Sequence, residues 1–424
     1  MMIMPFQRLL SWTVHWMVLL SLLAPRYRSS CHGFSSLASS SSFSSRISTK
    51  SSRMNSNSND NDGSDNNILI LDHININHEK GRHDWLKSFY GEAFLGCAWD
   101  PRKAKNLETG HKTLWANIGA HQFHLSEGSP DAQVLDGLVT IVHPSLGALK
   151  ERYKAITSDP GSCLNDSRFN VAVANKDTNE EEEEEEALIV TDPWGSVFRV
   201  VEEQETNDDD RNGGISERDS RGSQPGATSE GLAIRDLTVY VPIDANLDGI
   251  GRFYRDVLGG ELVAVSNDDE KNKKMVQIRM GPLQTLTFVP KESIEVNTHV
   301  DLREILEEKD NNDDDAEWRG TSTDLENYAV HISLYVADLP SCYQRAHELG
   351  LTYVNTRFSR RAYTLEEAVN DCMFRCLDIV DPENVEGGPI LRLEHEVRSV
   401  LKKDGTKYKS CPFEEIPDNC VTLL

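Results

Sequence analysis

Two stretches of the chain repeat the same arrangement of strand and helix at equal spacing. Alternating apolar and polar residues begin at Asp72 and again at Asp236, which indicates β-strands. A Phe-Tyr pair follows 17 positions after each aspartate, at Phe89 and Phe253, in segments whose apolar spacing of three and four indicates helices. Two short strands joined at a glycine follow in both stretches. Such a repeat restricts the chain to folds assembled from copies of one supersecondary unit.

Two weaker copies of the unit complete the pattern. Residues 138–156 and 330–349 again have an alternating run followed by a helical one. Each copy closes with two strands around an Asp-Pro turn, at Asp192-Pro193 and Asp381-Pro382. The sequence therefore predicts four strand–helix–strand units and an α+β fold.

Acidic spacers divide the chain into domains. Glu180–Glu186 is a run of seven glutamates, which repel one another too strongly for a packed strand and predict an exposed loop. Residues 204–231 are rich in Asp, Gly and Ser and predict a disordered linker. A third acidic insertion lies around 307–315. The predicted organisation is disorder over 60–67, a first domain over 68–203, the linker, a second domain over 232–397 and a tail over 398–424.

The first 59 residues are predicted to be a presequence. Six Arg and Lys residues but no acidic residue precede Asp60, and Leu9–Ala24 is an apolar run typical of a signal peptide and somewhat short for a membrane span. The Ser-rich segment 29–58 then has the composition of a transit peptide. This order resembles the bipartite presequences of algae with secondary plastids, with Phe34 at the expected phenylalanine. We expect a plastid location, with secretion or an endomembrane compartment as the alternative.

Charge and cysteine content exclude further classes. Lys and Arg number 44 against 69 Asp and Glu, a net charge of −25, which argues against a nucleic-acid-binding surface. Seven cysteines follow the presequence, widely spaced and without a C-x-x-C pair. An odd set of this kind is poor material for a disulfide framework, so reduced thiols are expected.

The order and repetition of these motifs resemble the vicinal oxygen chelate superfamily, which includes glyoxalase I, extradiol ring-cleaving dioxygenases and bleomycin-resistance binding proteins. The resemblance implies two tandem domains built from four βαβββ units that form half-open barrels. In that family the first and last strands of a unit line a cup that can hold a divalent metal. The motifs that match are Leu71-Asp72-His73-Ile74, Phe89-Tyr90 with Gly96, Asp192-Pro193-Trp194-Gly195, Phe253-Tyr254 with Gly259-Gly260, and His331-Ile332.

Carried over by position, the resemblance implies three metal ligands, namely His73 and His124 of the first unit and His331 of the fourth. Imidazoles suit Zn, Ni or Fe. The three converge only if the first unit pairs with the fourth; pairing with the second unit would bring together His73 and His124 alone. The sequence leaves both pairings open. In the first case the other matching positions form a second, metal-free cup of Thr140, Arg199, Leu237 and Leu286.

Arginines occupy the last-strand positions where the family commonly has a carboxylate. Arg199 and Arg392 are therefore predicted either to bind an anionic substrate or to form salt bridges. Glu394 lies two residues beyond Arg392, on the same face of its strand, and a small shift of register would let it complete a site of His and carboxylate ligands. Glu394 or Glu127 is the predicted catalytic base.

The resemblance implies a metal-dependent lyase or isomerase that acts on a small, oxygen-rich, hemithioacetal-like substrate. With Fe(II) and open coordination positions, an extradiol-type dioxygenase is the alternative. A metal-free protein that binds a small molecule is the third possibility. Each requires a small-molecule partner, and none requires nucleic acid or a membrane span after processing.

Overall fold

The structure is a computed structural model that describes residues 66–110, 112–127, 132–174, 186–203, 228–266, 274–291, 330–355 and 362–423. The predicted presequence, nearly all of the glutamate run and of the linker, and the insertion around 307–315 lie outside the described residues. No helix among the described residues is long and apolar enough to cross a membrane.

The first unit contains the elements that the repeat predicts. Helix α1 buries Trp85, Leu86, Phe89 and Tyr90 on one face, as its apolar spacing requires, and it ends at Gly91. The elements are β1 (Ile68–His78), α1 (His83–Tyr90), β2 (Ala98–Trp99), α2 (Lys105–Thr109), β3 (Leu114–Ile118) and β4 (His121–Glu127).

The other three units follow the same plan. The second comprises β5 (Gly137–His143), α3 (Leu146–Ser158), β6 (Asn170–Val173), β7 (Ala187–Thr191) and β8 (Val197–Glu202). The third comprises β9 (Ala233–Pro242), α4 (Leu247–Arg252), a π-helical turn (Phe253–Val257), β10 (Leu262–Ser266), β11 (Met275–Gly281) and β12 (Gln284–Lys291). The fourth comprises β13 (His331–Val336), α5 (Leu339–Glu348), β14 (Thr352–Tyr353), α6 (Leu365–Asp371), β15 (Met373–Val380) and β16 (Pro389–Ser399).

Two mixed eight-stranded sheets result, and each joins two units. The first sheet has the order β14-β15-β16-β13-β1-β4-β3-β2, so the first unit pairs with the fourth. The second has the order β10-β11-β12-β9-β5-β8-β7-β6, which pairs the second unit with the third. The α+β class and the organisation into four strand–helix–strand units, paired two by two, are confirmed. Of the two pairings that the sequence left open, the structure has the one that brings the three histidines into one sheet.

The central strands of the first sheet, β1 and β13, run antiparallel in a symmetric register. His73 lies opposite Ser333, and Asn75 lies opposite His331. A local two-fold axis between the strands exchanges these two pairs. His73 of the first unit is therefore equivalent to His331 of the fourth, and Asn75 is equivalent to Ser333.

The outer neighbours of these strands extend the correspondence. Asn75 pairs with His124 on the parallel strand β4, and Ser333 pairs with Glu396 on the parallel strand β16. Since Asn75 and Ser333 are equivalent, Glu396 occupies the position in the fourth unit that His124 occupies in the first.

Both sheets share one apolar core, which fixes their mutual position. Its largest buried side chains come from all four units and include Phe89, Phe123, Phe198, Phe253 and Phe374. Polar bonds cross between the sheets as well, because the Gln284 amide oxygen accepts from the Leu71 main-chain N–H at 2.8 Å. None of the described cysteines forms a disulfide bond.

The C-terminal tail packs onto the body. Beyond β16, Leu401 and Lys407 form a bridge, and Cys411 and Phe413 are buried. The Val421 N–H donates to the Ala337 carbonyl at 2.9 Å, so the tail covers the end of β13.

Candidate metal centre

A cavity of about 270 Å³ opens on one face of the first sheet. Both paired units contribute to its wall, together with the segment after β2 and the tail. The lining residues include Asn75, Arg102, Lys103, Trp115, Gln122, His124, Ser126, His331, Met373, Arg375, Glu396, Arg398 and Ser410.

The three predicted histidines meet beside this cavity. The His73 ring stacks on the His124 ring with 3.6 Å between centroids, and it meets the His331 ring edge-on at 5.7 Å. Trp115 stacks on the other face of His124 at 4.4 Å. The structure thus forms an aromatic column from the cavity wall to the centre of the sheet.

Two of these histidines and one glutamate form a group of potential metal ligands. His73, His331 and Glu396 each offer a ligand atom, and these atoms lie within 4.8 Å of one another in a buried site. His124 is held differently, because its Nε2 lies 3.1 Å from the Gln122 amide oxygen. Its ring lies between those of His73 and Trp115. The centre is therefore built from two imidazoles and a carboxylate, with His124 packed against it.

Asp72 sets the tautomer of His73. Its Oδ2 lies 2.8 Å from His73 Nδ1, and since a carboxylate only accepts, Nδ1 carries the proton. The buried Nε2 then presents a lone pair, and it has no hydrogen-bond partner. Burial lowers the pKa of His73 despite the opposing effect of Asp72. A carboxylate behind the ring is the usual support of a metal-binding histidine.

Two arginines hold Glu396 from both sides. Arg375 and Arg398 each form a salt bridge with its carboxylate. Burial alone would raise the pKa of Glu396, but the two guanidinium groups outweigh burial and keep it well below its usual range. Burial, and then Arg375 and His73, lower the pKa of His331, which is therefore a neutral imidazole. A neutral imidazole and an ionised carboxylate are the forms that bind metals.

The two halves of the centre are chemically unequal. Trp115 pairs with His124 across β3 and β4, while Arg375 pairs with Glu396 across β15 and β16. Symmetry-related positions thus provide an aromatic wall on one side and a cation on the other. Arg102 and Lys103 lie over the Trp115 ring, 4.5 and 4.7 Å from its centroid, and extend the positive charge to the cavity wall.

Neither predicted catalytic glutamate, Glu394 or Glu127, belongs to the group formed by His73, His331 and Glu396. Glu394 binds Arg375 and accepts from the Asn355 amide, and it is Glu396, two residues on, that approaches the histidines. Glu127 ends β4 an odd number of residues beyond His124, which places it on the opposite face of the sheet. Glu127 lies there with His78 and His83.

The two predicted substrate-binding arginines do not line the cavity. Arg392 donates from Nε to Asp378 at 3.0 Å, which is the salt-bridge alternative. Arg199 lies in the second sheet near Asp236. The arginines that line the cavity are Arg102, Arg375 and Arg398, and the last two contact Glu396.

The second sheet differs from the metal-free cup that was predicted. Leu237 and Leu286 belong to the apolar core instead of lining a cup. Asp236, one residue earlier, accepts hydrogen bonds from Thr238, Thr285 and Thr287 at 2.6 to 2.8 Å. Adjacent residues of a strand face opposite sides of the sheet. The face predicted to carry Leu237 and Leu286 therefore carries the polar network of Asp236 instead.

Glu396, Arg375 and Arg398 are the residues that sequence reasoning missed. Arg392, Glu394 and Glu396 occupy alternate positions of the sequence, so the pattern alone cannot choose among them. Glu396 is identified because it is equivalent to His124. This equivalence can be seen only once the registers of β1 with β4 and of β13 with β16 are known.

Comparison with family models gives no match, and comparison with curated proteins gives none. Among solved structures, the chain is similar to glyoxalase I from Zea mays, with 10% identity, a TM-score of 0.41, and 78% of this chain and 92% of that chain covered. It is also similar to a putative dioxygenase from Bacillus subtilis subsp. subtilis str. 168, with 12% identity, a TM-score of 0.40, and 78% and 86% covered. A third is 2,2',3-trihydroxybiphenyl 1,2-dioxygenase from Sphingomonas wittichii strain RW1, with 11% identity, a TM-score of 0.24, and 78% and 90% covered. Similarity at this level does not extend to an activity.

Proposed function

We propose that the first sheet binds a divalent transition metal through His73, His331 and Glu396, and that the protein is a metal-dependent enzyme for a small anionic substrate. One observation carries the proposal. Three buried donors lie within 4.8 Å of one another beside a cavity, and two of them, His73 and His331, occupy symmetry-related positions of the two paired units.

The residues fit a metal. His73 Nε2 is a buried lone pair without a partner, and a buried polar atom of this kind needs an explanation. Asp72 holds the ring in the tautomer that metal binding requires. A set of two imidazoles and one carboxylate leaves coordination positions open and suits Fe(II), with Zn and Ni as further candidates.

Charge favours an anionic substrate. Asp72, Glu394 and Glu396 are three buried carboxylates against the two buried guanidinium groups of Arg375 and Arg398, a net charge of −1 with neutral histidines. A bound divalent cation would change this to +1. Because buried charge is costly unless it is compensated, the occupied site would favour a substrate that supplies a negative charge.

The donor set favours oxygenation over isomerisation. Two histidines and one carboxylate with open positions are typical of Fe(II) oxygenases, and Fe(II) in this site would supply chelation of adjacent substrate oxygens and redox chemistry. Isomerisation of a hemithioacetal requires a nearby base. Glu394 is bound to Arg375 and Asn355, and Glu127 lies on the other face. An extradiol-type dioxygenase is therefore the proposed activity, and the lyase stays a prediction that the same experiment tests.

In this proposal the protein residues have separate tasks. Arg375 and Arg398 keep Glu396 ionised and oriented, and they face the anionic part of the substrate from the cavity wall. The Trp115 ring provides an apolar wall on which a planar substrate can stack.

The test uses the full chain reconstituted separately with Fe(II), Ni(II) or Zn(II). Oxygen uptake is measured with a panel of catechols, and isomerisation with the hemithioacetal of methylglyoxal and glutathione. We expect Fe(II)-dependent oxygen uptake that is lost in His331→Ala and Glu396→Gln and retained in the matched control His347→Ala. Isomerisation without oxygen uptake would support the lyase instead. If neither activity is detected with any of the three metals, both proposed enzyme classes are contradicted.

The plastid location is a separate proposal that depends on residues 1–59. A fusion of these residues to a fluorescent protein, expressed in an alga with secondary plastids, should accumulate in the plastid. Secretion or retention in the endomembrane system would favour the alternative.

A further inference from the structure

A second group of metal-ligating side chains lies on the opposite face of the first sheet. His78 ends β1, His83 begins α1 and Glu127 ends β4. One ligand atom from each lies within 4.8 Å of the others. His78 and Glu127 are neighbours in the parallel register of β1 and β4, so the sheet itself fixes their separation. This group shares no residue with the candidate centre in the cavity.

The group contains buried polar atoms that the fold leaves unpaired. His83 Nδ1 and Glu127 Oε1 have no hydrogen-bond partner. The His78 ring approaches the Ser126 backbone without reaching good hydrogen-bonding geometry at either nitrogen. Both histidines are almost fully buried, with 1% and 2% of their surface exposed. Buried polar atoms normally have a hydrogen-bond partner or a metal, because desolvation without either is unfavourable.

The tautomer of His83 is already the one that a metal requires. His83 Nε2 lies 2.8 Å from the Lys112 carbonyl oxygen, which only accepts, so Nε2 carries the proton. The lone pair is therefore on Nδ1, which is buried and has no hydrogen-bond partner. A backbone carbonyl behind the ring is a common support for a metal-binding histidine.

We infer that His78, His83 and Glu127 bind one zinc ion or a similar divalent metal, independently of the centre in the cavity. Two imidazoles and one carboxylate form a known three-ligand zinc set in which water takes the fourth position. The half-buried Glu127 gives the ion access from solvent.

A metal here would connect three elements of the first unit. Helix α1 follows β1 after four residues, and its N-cap, Arg82, provides no side-chain hydrogen bond to the first turn. The ion would join the end of β1 and the end of β4 to the start of this helix. It would thereby hold the strands that carry His73 and His124, which gives this site a structural role.

The test separates this site from the other one. The full chain carrying His331→Ala and Glu396→Gln, which disable the cavity centre, is titrated with Zn(II) against a chelating dye that detects only tight binding. We expect about one Zn(II) per chain and an increase in the melting temperature. Adding Glu127→Gln, which keeps the side-chain shape, or His83→Ala should weaken binding by about 100-fold or more, since loss of a mere supporting residue already costs 10- to 100-fold.

Glu92→Gln, at an exposed position of the same unit, is the matched control and should bind as tightly as the cavity-disabled parent. Far-UV circular dichroism of the metal-free proteins checks that each variant is folded. The inference fails if the cavity-disabled chain binds no Zn(II), or if Glu127→Gln leaves the affinity unchanged. Co(II) gives a second readout, because its visible absorption intensifies in a four-coordinate site and should disappear with Glu127→Gln.

Discussion

Asp72 Oδ2 lies 2.8 Å from His73 Nδ1, and both side chains are almost completely buried. The pair is formed by adjacent residues at a register shift of β1. Consecutive residues of a regular strand face opposite sides of the sheet, so this irregularity is what allows the two side chains to meet.

Replacing Asp72 by Asn should weaken metal binding at the cavity centre. The amide can donate to Nδ1 and thereby favour the tautomer with the proton on Nε2, which removes the lone pair from the metal-binding position. We expect the dissociation constant for Fe(II) or Zn(II) to increase by about 10- to 100-fold, the effect of losing a supporting carboxylate. Competition with a chelating dye measures it. Asp378→Asn, which removes the partner of Arg392, is the control and should leave the affinity unchanged.

His124 was predicted to be a metal ligand, and its stacking suggests that it packs His73 in place instead. His124→Phe preserves a flat ring between Trp115 and His73 but removes both nitrogens. We expect metal affinity within about threefold of wild type, because ring stacking survives the change. His331→Phe should abolish binding at the same centre. Equal losses in the two variants would make His124 a fourth ligand, as its equivalence to Glu396 allows.

Arg398→Met should destabilise the fold considerably. Arg398 is 8% exposed and forms a salt bridge with Glu396, so its removal leaves a buried carboxylate with only Arg375 as a partner. Removing one partner of a buried ion pair lowers the free energy of unfolding by about 3–5 kcal/mol. Because Arg375 still pairs with Glu396, we expect a loss near the lower end of this range. Urea unfolding of the metal-free protein measures this change. Arg392→Met, which breaks a pair whose Asp378 is 29% exposed, should cost about 1 kcal/mol or less.

The sequence predicts the units of this fold better than their pairing. Periodicity and the Phe-Tyr, Gly and Asp-Pro signals are local, and each of the four units forms where they indicate. Pairing of β1 with β13 joins segments at the two ends of the body, and no local signal determines it. The same long-range contact determines whether His331 meets His73, which is why the three histidines could be named without being placed together.

Strand register explains the remaining differences at the site. β16 is 11 residues long and has acidic or basic residues at four alternate positions, Arg392, Glu394, Glu396 and Arg398, and its register with β15 shifts between Arg392 and His395. Sliding the strand by two residues exchanges one candidate for the next while preserving the apolar pattern on the other face. The carboxylate of the candidate centre was expected at Glu394 and is at Glu396. The arginine of β16 that lines the cavity is Arg398 instead of Arg392.

Asp192 should make the stability of the protein depend on pH in a direction opposite to most carboxylates. It lies in the turn between β7 and β8, where Oδ1 accepts from the N–H groups of Trp194, Gly195 and Ser196 at 2.7 to 2.9 Å. Burial nevertheless raises its pKa to about 6, and Oδ2 has no partner. A pKa above the unfolded value means that the folded state binds the proton more tightly. The resulting stabilisation is present below about pH 4 and is lost as pH rises through 6.

Asp192→Asn keeps an oxygen for the three N–H groups and cannot ionise. The free energy of unfolding of wild type minus that of the variant should therefore decrease by about 2 kcal/mol between pH 4 and pH 7.5, which is most of the effect of a shift of roughly two pKa units. Urea unfolding across this range measures the difference, with the exposed Asp418→Asn expected to follow the wild-type curve. A constant difference between wild type and Asp192→Asn would mean that Asp192 has the same pKa in the folded and the unfolded state, so that its three N–H bonds offset its burial.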